Sequence, residues 1–365
     1  MQSLRVEIAD SLPALLALED QLAALAAAAG AGAYDRPGFF LPWARAAVAT
    51  GQRPACLCLW RGPELAGFVP VFRRRDWKAA LAWRGGPPLF GSSPAFDLLF
   101  APQENEAELT AAMVQALERM RWLDLSFENL PEDNRLGRCL SRAFERRGYS
   151  VRTSPGLAYF TVEGVAGGAE LEAQLSSKNR RNLRAAERKT AASCEIDLCT
   201  SDDDPETAVG VLRKVVASSW KNSPRMRMIG LRLYEEQIRG CARDGTLRFW
   251  WVSHQSEPVA FAFILAEPGG PYHGYFTALT GKGCELGAGT ALMYLSLKHS
   301  LDEGAAMFNL WSVRHNIKRM TNSRLQTVSL DISRAGLGAR LRLAAAEQLR
   351  LLRQAARTEK PRPRA

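Results

Sequence analysis

The chain has 365 residues, 47% of them hydrophobic and 24% charged, with 9 Trp and 15 Phe. That is enough apolar matter to bury roughly 75% of the extended surface, which excludes a disordered or collagen-like polypeptide and makes disulfide or metal staples unnecessary. The net charge of +10 is unevenly placed: residues 178–189 hold six basic and one acidic side chain, and residues 334–364 hold nine basic and two acidic ones. Two such patches on a near-neutral body suit phosphate-rich ligands, anionic lipid or nucleic acid.

The first 50 residues read as a short strand at 4–8 and helical material with Leu12, Leu15, Leu18 and Leu22 at helical spacing. Gly30-Ala31-Gly32 ends that helix, and a second helix covers 39–49. Apolar runs at 55–60 and 65–72 flank Arg61-Gly62-Pro63-Glu64, an antiparallel hairpin signal. Helix 106–120, strand 122–127 and helix 133–147 follow, with strand segments at 149–151 and 159–162. One long polar helix is expected over 170–191, then a strand at 193–200. Helices at 202–220 and 229–244 come next, with a loop at 221–227 between them. A second hairpin, 247–253 with 259–266, precedes a strand at 272–279, a helix at 290–303, strands at 307–310 and 328–332, and an amphipathic helix at 337–357. The two hairpins hold comparable places, which predicts an internal repeat of architecture. Hairpins mixed with crossover helices mean α/β layers with mixed sheets. The expected division is 1–168, a basic linking segment 169–200, 201–335, and a basic C-terminal helix and tail 336–365.

The seven cysteines include no C-x-x-C pair, and no His sits at metal-ligand spacing. No metal is therefore expected, and free thiols fit a reducing compartment. Neither a signal peptide nor a membrane span is read, which makes the cytoplasm the expected location.

The densest signal lies between residues 272 and 330. The strand at 272–279 leads through Gly281-Lys282-Gly283 to Leu286-Gly287-Ala288-Gly289-Thr290 at a helix entrance. Glycines there let a ligand approach the backbone, and the free N–H groups and helix dipole suit an anion. The run has neither the G-x-G-x-x-G spacing nor a following Gly-Lys-Ser/Thr, so dinucleotide and triphosphate loops are poor matches.

Three segments carry a resemblance: the basic stretch Ser177-Lys178-Asn179-Arg180-Arg181-Asn182-Leu183-Arg184, Glu257-Pro258-Val259-Ala260, and the glycine turn at 286–292. Together they resemble FemAB-like and CelD/BioF2-like acyltransferases of the GNAT superfamily, best over 175–325. The resemblance implies tandem GNAT-like modules with mixed sheets and a basic connecting helix. It implies acyl-CoA, in the first place acetyl-CoA, as co-substrate and a small amine as acceptor, in envelope or polysaccharide assembly. Gly287, Ala288, Gly289 and Thr290 would meet the diphosphate, and Phe276, Thr277 and Leu279 would flank the pantetheine arm. The family usually has Ser-Pro-Gly where Gly287-Ala288-Gly289 stands, an Asp where Asn309 stands, and an aromatic-Lys pair where Ile317-Lys318 stands.

Transfer from a thioester to an amine needs a deprotonated amine, a polarised carbonyl and a protonated leaving thiolate. His273 and His315 are candidate bases because imidazole titrates near neutrality. Tyr275 is a candidate acid, and Asn309 and Lys318 sit where a strand ends. Trp220, Trp311 and Arg314 are candidates for the acceptor pocket, and Lys178 and Arg181 for an anionic group on the acceptor. Ser92, Asp97 and Glu128-Asn129 are read as bordering that cleft. An alternative is a transferase that uses aminoacyl-tRNA, with the basic helix against RNA. A further alternative is a non-catalytic scaffold that binds anionic lipid.

Overall fold

The computed structural model describes residues 3–76, 82–85, 97–120, 122, 124–132, 134–224, 226–267, 269–310 and 320–334. The expected helix at 337–357 and the basic tail lie outside the described residues.

The first half runs β1 (Leu4–Ala9), α1 (Leu12–Leu16), α2 (Glu19–Ala29), α3 (Pro37–Ala49), β2 (Arg53–Pro54), β3 (Cys56–Arg61), β4 (Glu64–Val69), β5 (Phe72–Asp76), β6 (Ala82–Gly85) and β7 (Leu99–Phe100). It continues with α4 (Glu106–Arg119), β8 (Asp124–Pro131), α5 (Arg135–Glu145) and β9 (Ser150–Glu163). Helices α6 (Gly168–Gln174) and α7 (Ser177–Ala191) link it to the second half. There follow β10 (Glu195–Thr200), α8 (Pro205–Ala217), α9 (Leu231–Arg243), β11 (Leu247–His254), β12 (Glu257–Ala266) and β13 (Pro271–Leu279). The chain then forms α10 (Gly281–Leu286), α11 (Ala288–Asp302), β14 (Met307–Asn309) and β15 (Ser323–Ser333).

The repeat is visible in strand order. β1-β3-β4-β7 is an antiparallel sheet in the first half, and β10-β11-β12-β13 is its antiparallel counterpart in the second. The second meander is part of an 11-stranded mixed sheet that continues β14-β9-β15-β8-β6-β5-β2. Its centre is an exchange. β14 is parallel to β13 and antiparallel to β9 of the first half, whereas β8 is antiparallel to β15 of the second. β9 and β15 pair over a long antiparallel register.

Three local findings differ from the sequence expectation. The polar helix at 170–191 is two helices, because Ser176 caps α7 by accepting from Asn179 N–H. The two short strands at 149–151 and 159–162 are one strand, β9. Pro155 and Gly156 are tolerated inside it where the register with β15 shifts between Gln326 and Val328, and Gly156 lies against Thr327. The loop at 221–227 runs into a π-helical turn at Met226–Gly230 that opens onto α9.

β12 is buried on both faces, which is why its sequence does not alternate. Phe261, Phe263 and Leu265 join the core shared with α3, α8 and α9. Ala260, Ala262, Ile264 and Ala266 face the other side, among the residues that meet α11. The halves also meet where α3 crosses α9. Gly38 and Gly240 touch backbone to backbone, so a Cβ on either would strike the other. Gly38 N–H donates to Asp244 Oδ2 (2.8 Å), and Arg45 pairs with Glu236 (2.8 Å).

Candidate active site

β13 is the organising strand. Phe263 pairs Phe276 and Ile264 pairs Gly274, so Tyr275 is an extra residue at a bulge. A bulge turns the strand and leaves a backbone group outside the ladder. On the other edge β13 pairs β14 only from Pro271↔Met307 to His273↔Asn309. His273 and Asn309 are the last residue pair of the two strands, and both are buried.

His273 Nε2 lies 3.7 Å from Glu267 Oε1, and its ring lies 4.8 Å from that of Tyr34. Glu267 Oε1 in turn accepts from Ala33 N–H at 2.6 Å, so a carboxylate ties the first half to the imidazole of the second. Asp35, two residues on, accepts the Asp97 N–H at 3.0 Å. Burial pushes the Asp35 carboxyl well up. The Asp97 N–H opposes that shift, and the nearby charges of Asp97 and Glu267 reinforce it. Asp97 also accepts from Leu136 N–H (2.9 Å) at the start of α5. Asn129 has φ of 60° at the irregularity between β8 and β15. Its Oδ1 accepts from the Tyr159 hydroxyl at 3.4 Å, and burial raises that hydroxyl to about 12. Left-handed backbone in a non-glycine residue costs energy and collects at functional sites.

The structure therefore groups His273 and Asn309 with Tyr34, Asp35 and Glu267. Sequence reading missed the last three. They stand in a turn and a loop with no motif around them, and only the meeting of the halves makes them neighbours. Tyr275 is placed differently. Its ring packs against Phe39, Tyr234 and Phe263, and its hydroxyl donates to Gln237 Oε1 at 3.1 Å. Burial pushes its pKa well up, a poor setting for an acid that must release a proton to a thiolate.

The glycines after β13 divide into separate jobs. A Cβ on Gly283 would strike the Val259 carbonyl, so that glycine serves close packing. Gly287 has φ of +75° and ends α10, the left-handed conformation that glycine adopts cheaply. It also opens α11, and no side chain caps that helix. Thr290 N–H closes back on the Gly287 carbonyl at 3.1 Å. Ala288 is buried, and at Gly289 a Cβ would meet only Leu279 Cδ2, at 3.4 Å. The turn at 286–290 thus presents the N-terminus of a 15-residue helix with small residues over it.

Along β13 between the cleft and this turn, Phe276 stacks on Tyr234 at 3.9 Å. The Lys221 ammonium donates to the Thr277 carbonyl and lies 4.2 Å from the Phe276 ring. Trp220 beside it is 69% exposed.

The first half has a counterpart helix start, and it is closed to anions. Asn105 caps α4 by accepting from the Ala107 and Glu108 N–H groups. Glu104, Glu106 and Glu108 surround that end, and Arg61 pairs with Glu104 (2.7 Å) and Glu108 (2.8 Å). A surface groove of about 400 Å³ between α4 and α5 shares no residue with the cluster around His273.

The basic helix α7 is only partly free. Arg184 pairs with Glu172, which also receives Tyr294 Oη and Lys298 Nζ, and Arg180 donates to the Glu172 carbonyl. Lys178 and Arg181 are exposed and make no ion pair among the described residues. Trp311, Arg314, His315 and Lys318 lie outside the described residues, as does Ser92. Among the described residues no three His, Cys, Asp or Glu side chains are grouped to hold a metal. None of the described helices is long and apolar enough to cross a membrane.

Residues 177–319 match the family model described as an acetyltransferase (GNAT) domain. No curated protein matches the chain. Among solved structures, the C-terminal domain of an Agrobacterium fabrum protein described as a lysylphosphatidylglycerol synthetase is 13% identical. It has a TM-score of 0.50 and covers 78% of this chain and 86% of its own. A conserved protein of unknown function from Bacteroides thetaiotaomicron is 10% identical, with a TM-score of 0.51 and coverage of 90% and 100%. FemX is 10% identical, with a TM-score of 0.48 and coverage of 80% and 90%. At these identities the likeness is one of fold. Residues 177–319 are thus similar to a GNAT acetyltransferase domain, and the antiparallel meander of the second half has a counterpart in the first.

Proposed function

We propose that this chain is an N-acyltransferase that moves an acyl group, acetyl in the first place, from acyl-CoA to an amine of a sugar or amino-acid derivative. The working module is 201–335, joined by 169–200 to a first module, 1–168, that serves the acceptor. One observation carries the reading: the helix start at Gly287–Thr290 has no side-chain cap and only small residues over it, whereas its counterpart in the first half is capped and acidic. The donor's diphosphate meets the amides that open α11. Its pantetheine arm runs past Leu279, Thr277 and Phe276, and its thioester arrives at the Tyr275 bulge.

The acceptor amine enters from the side of Asp35, Glu267 and Tyr34 as the free base, its ammonium form having first lost a proton to solvent. His273 takes the proton as the amine nitrogen attacks the thioester carbonyl, and Glu267 steadies the imidazolium. The C–S bond breaks, and the thiolate leaves as the amide forms. Asn309 orients the imidazole, and Tyr275 holds the bulge in place through Gln237. Two residues were assigned to an anionic group on the acceptor, Lys178 and Arg181. Their exposed side chains support a second reading in which aminoacyl-tRNA is the donor.

Thermal unfolding with millimolar coenzyme A or with tRNA separates the two readings. The first predicts a raised Tm with coenzyme A alone, because a ligand of the folded state stabilises it by mass action. A shift with tRNA only would reverse the assignment.

A further inference from the structure

The basic helix α7 runs beside α11 in the opposite sense. Glu172, just ahead of α7, meets Tyr294 and Lys298 in the later part of α11, and Lys189, near the end of α7, reaches the turn before α11. There the Lys189 ammonium donates to the Glu285 carbonyl at 2.9 Å, one residue before the turn at 286–290. Leu183 and Thr190 are buried against the fold. Positions 178, 181, 185 and 188 lie on the opposite side of the helix, by its 3.6-residue period. Of these, Lys178, Arg181 and Arg188 are exposed and enter no ion pair among the described residues. Arg184, in contrast, is neutralised by Glu172, and Glu187 lies toward the fold beside Arg184 and Tyr294. A row of cations with no acid on its face, one end fixed beside the turn that opens α11, suits a phosphate on a ligand at that turn.

We propose that Arg188 and Lys189, with Arg181 two turns behind, bind the ribose 3′-phosphate of the donor nucleotide, so that α7 belongs to the donor site. This rests on the acyl-CoA reading and reassigns Arg181 from the acceptor. Lys189 loses an intramolecular contact when changed, but Arg188 does not, so Arg188→Gln leaves the fold intact.

The test compares affinities of the full chain, R188Q and K189Q for coenzyme A and for dephospho-coenzyme A, which lacks only that phosphate, by isothermal titration. The full chain should prefer coenzyme A about tenfold, the scale of one charge-assisted hydrogen bond. In each variant the preference should shrink to about twofold or less, while affinity for dephospho-coenzyme A holds. Equal affinities in the full chain, or equal loss of both ligands in R188Q, overturns the proposal and leaves the acyl-CoA reading standing. No binding of either ligand overturns both.

Discussion

At the scale of residues, the cleft assigns different work to groups that look alike in sequence. His273 and Tyr275 are two positions apart on one strand, yet the bulge separates them. The imidazole reaches Glu267, and the phenol is sealed among aromatic rings with Gln237 as acceptor. His273→Gln keeps a polar group of similar size and removes the base. It should lower kcat by 10²- to 10⁴-fold, roughly the contribution of general base catalysis, with little change in Tm. Asp35→Asn should behave in the opposite way. Its carboxyl is pushed up by burial, so the folded state gains nothing from its charge, and Asn keeps the acceptor for Asp97 N–H. Melting of D35N at pH 7 should show equal or higher Tm, with kcat little changed.

At the scale of elements, the joints carry the most testable energetics. Gly38 and Gly240 let α3 and α9 cross in backbone contact. Gly38→Ala forces them apart and should cost about 1–3 kcal/mol, measured by urea unfolding. The joint of α6, α7 and α11 is held by Glu172. Burial would raise its carboxyl, but hydrogen bonds from Tyr294, Arg184 and Lys298 override that and lower it from 4.5 to about 2. A carboxyl with a depressed folded value contributes stability that is complete above its unfolded value and is lost as protons bind. Tm should therefore fall between about pH 4.5 and pH 2 more steeply in the natural chain than in Glu172→Gln.

The elements legible in the sequence were those with strong local signals. The two hairpins, the cap-and-glycine boundaries and the turn after β13 follow from apolar periodicity and from glycine and proline placement. The Ser176 break between α6 and α7 was missed because one serine in a polar run gives little contrast. The continuity of β9 was missed because Pro155-Gly156 reads as a turn unless β15 lies alongside with shifted register. The residues grouped around His273 were legible only in part. Asp97 and Asn129 could be named as strand-end residues, but Tyr34, Asp35 and Glu267 acquire meaning only through contacts more than 200 residues long in sequence, such as Ala33 with Glu267.

At the scale of the whole molecule, the exchange of β8 and β14 across β9 and β15 means that neither half completes its own sheet. The halves should unfold in a single transition. A fragment of 201–335, lacking β9 between β14 and β15, should show no cooperative melt by circular dichroism; a fragment that melts at the temperature of the full chain would contradict this. The same tandem arrangement lets one half specialise. Its helix start has an Asn cap and an Arg61–Glu104–Glu108 ion-pair cluster, whereas the start of α11 in the other half has no side-chain cap. The most direct measurement is therefore isothermal titration of the full chain and of Gly289→Val with acetyl-CoA. Gly289 meets only ordinary contacts, so the valine should fold and cover the amides. One site per chain, lost at least tenfold in G289V at unchanged Tm, is the predicted result; an absence of binding, two equal sites, or unaltered affinity in the folded variant would contradict it.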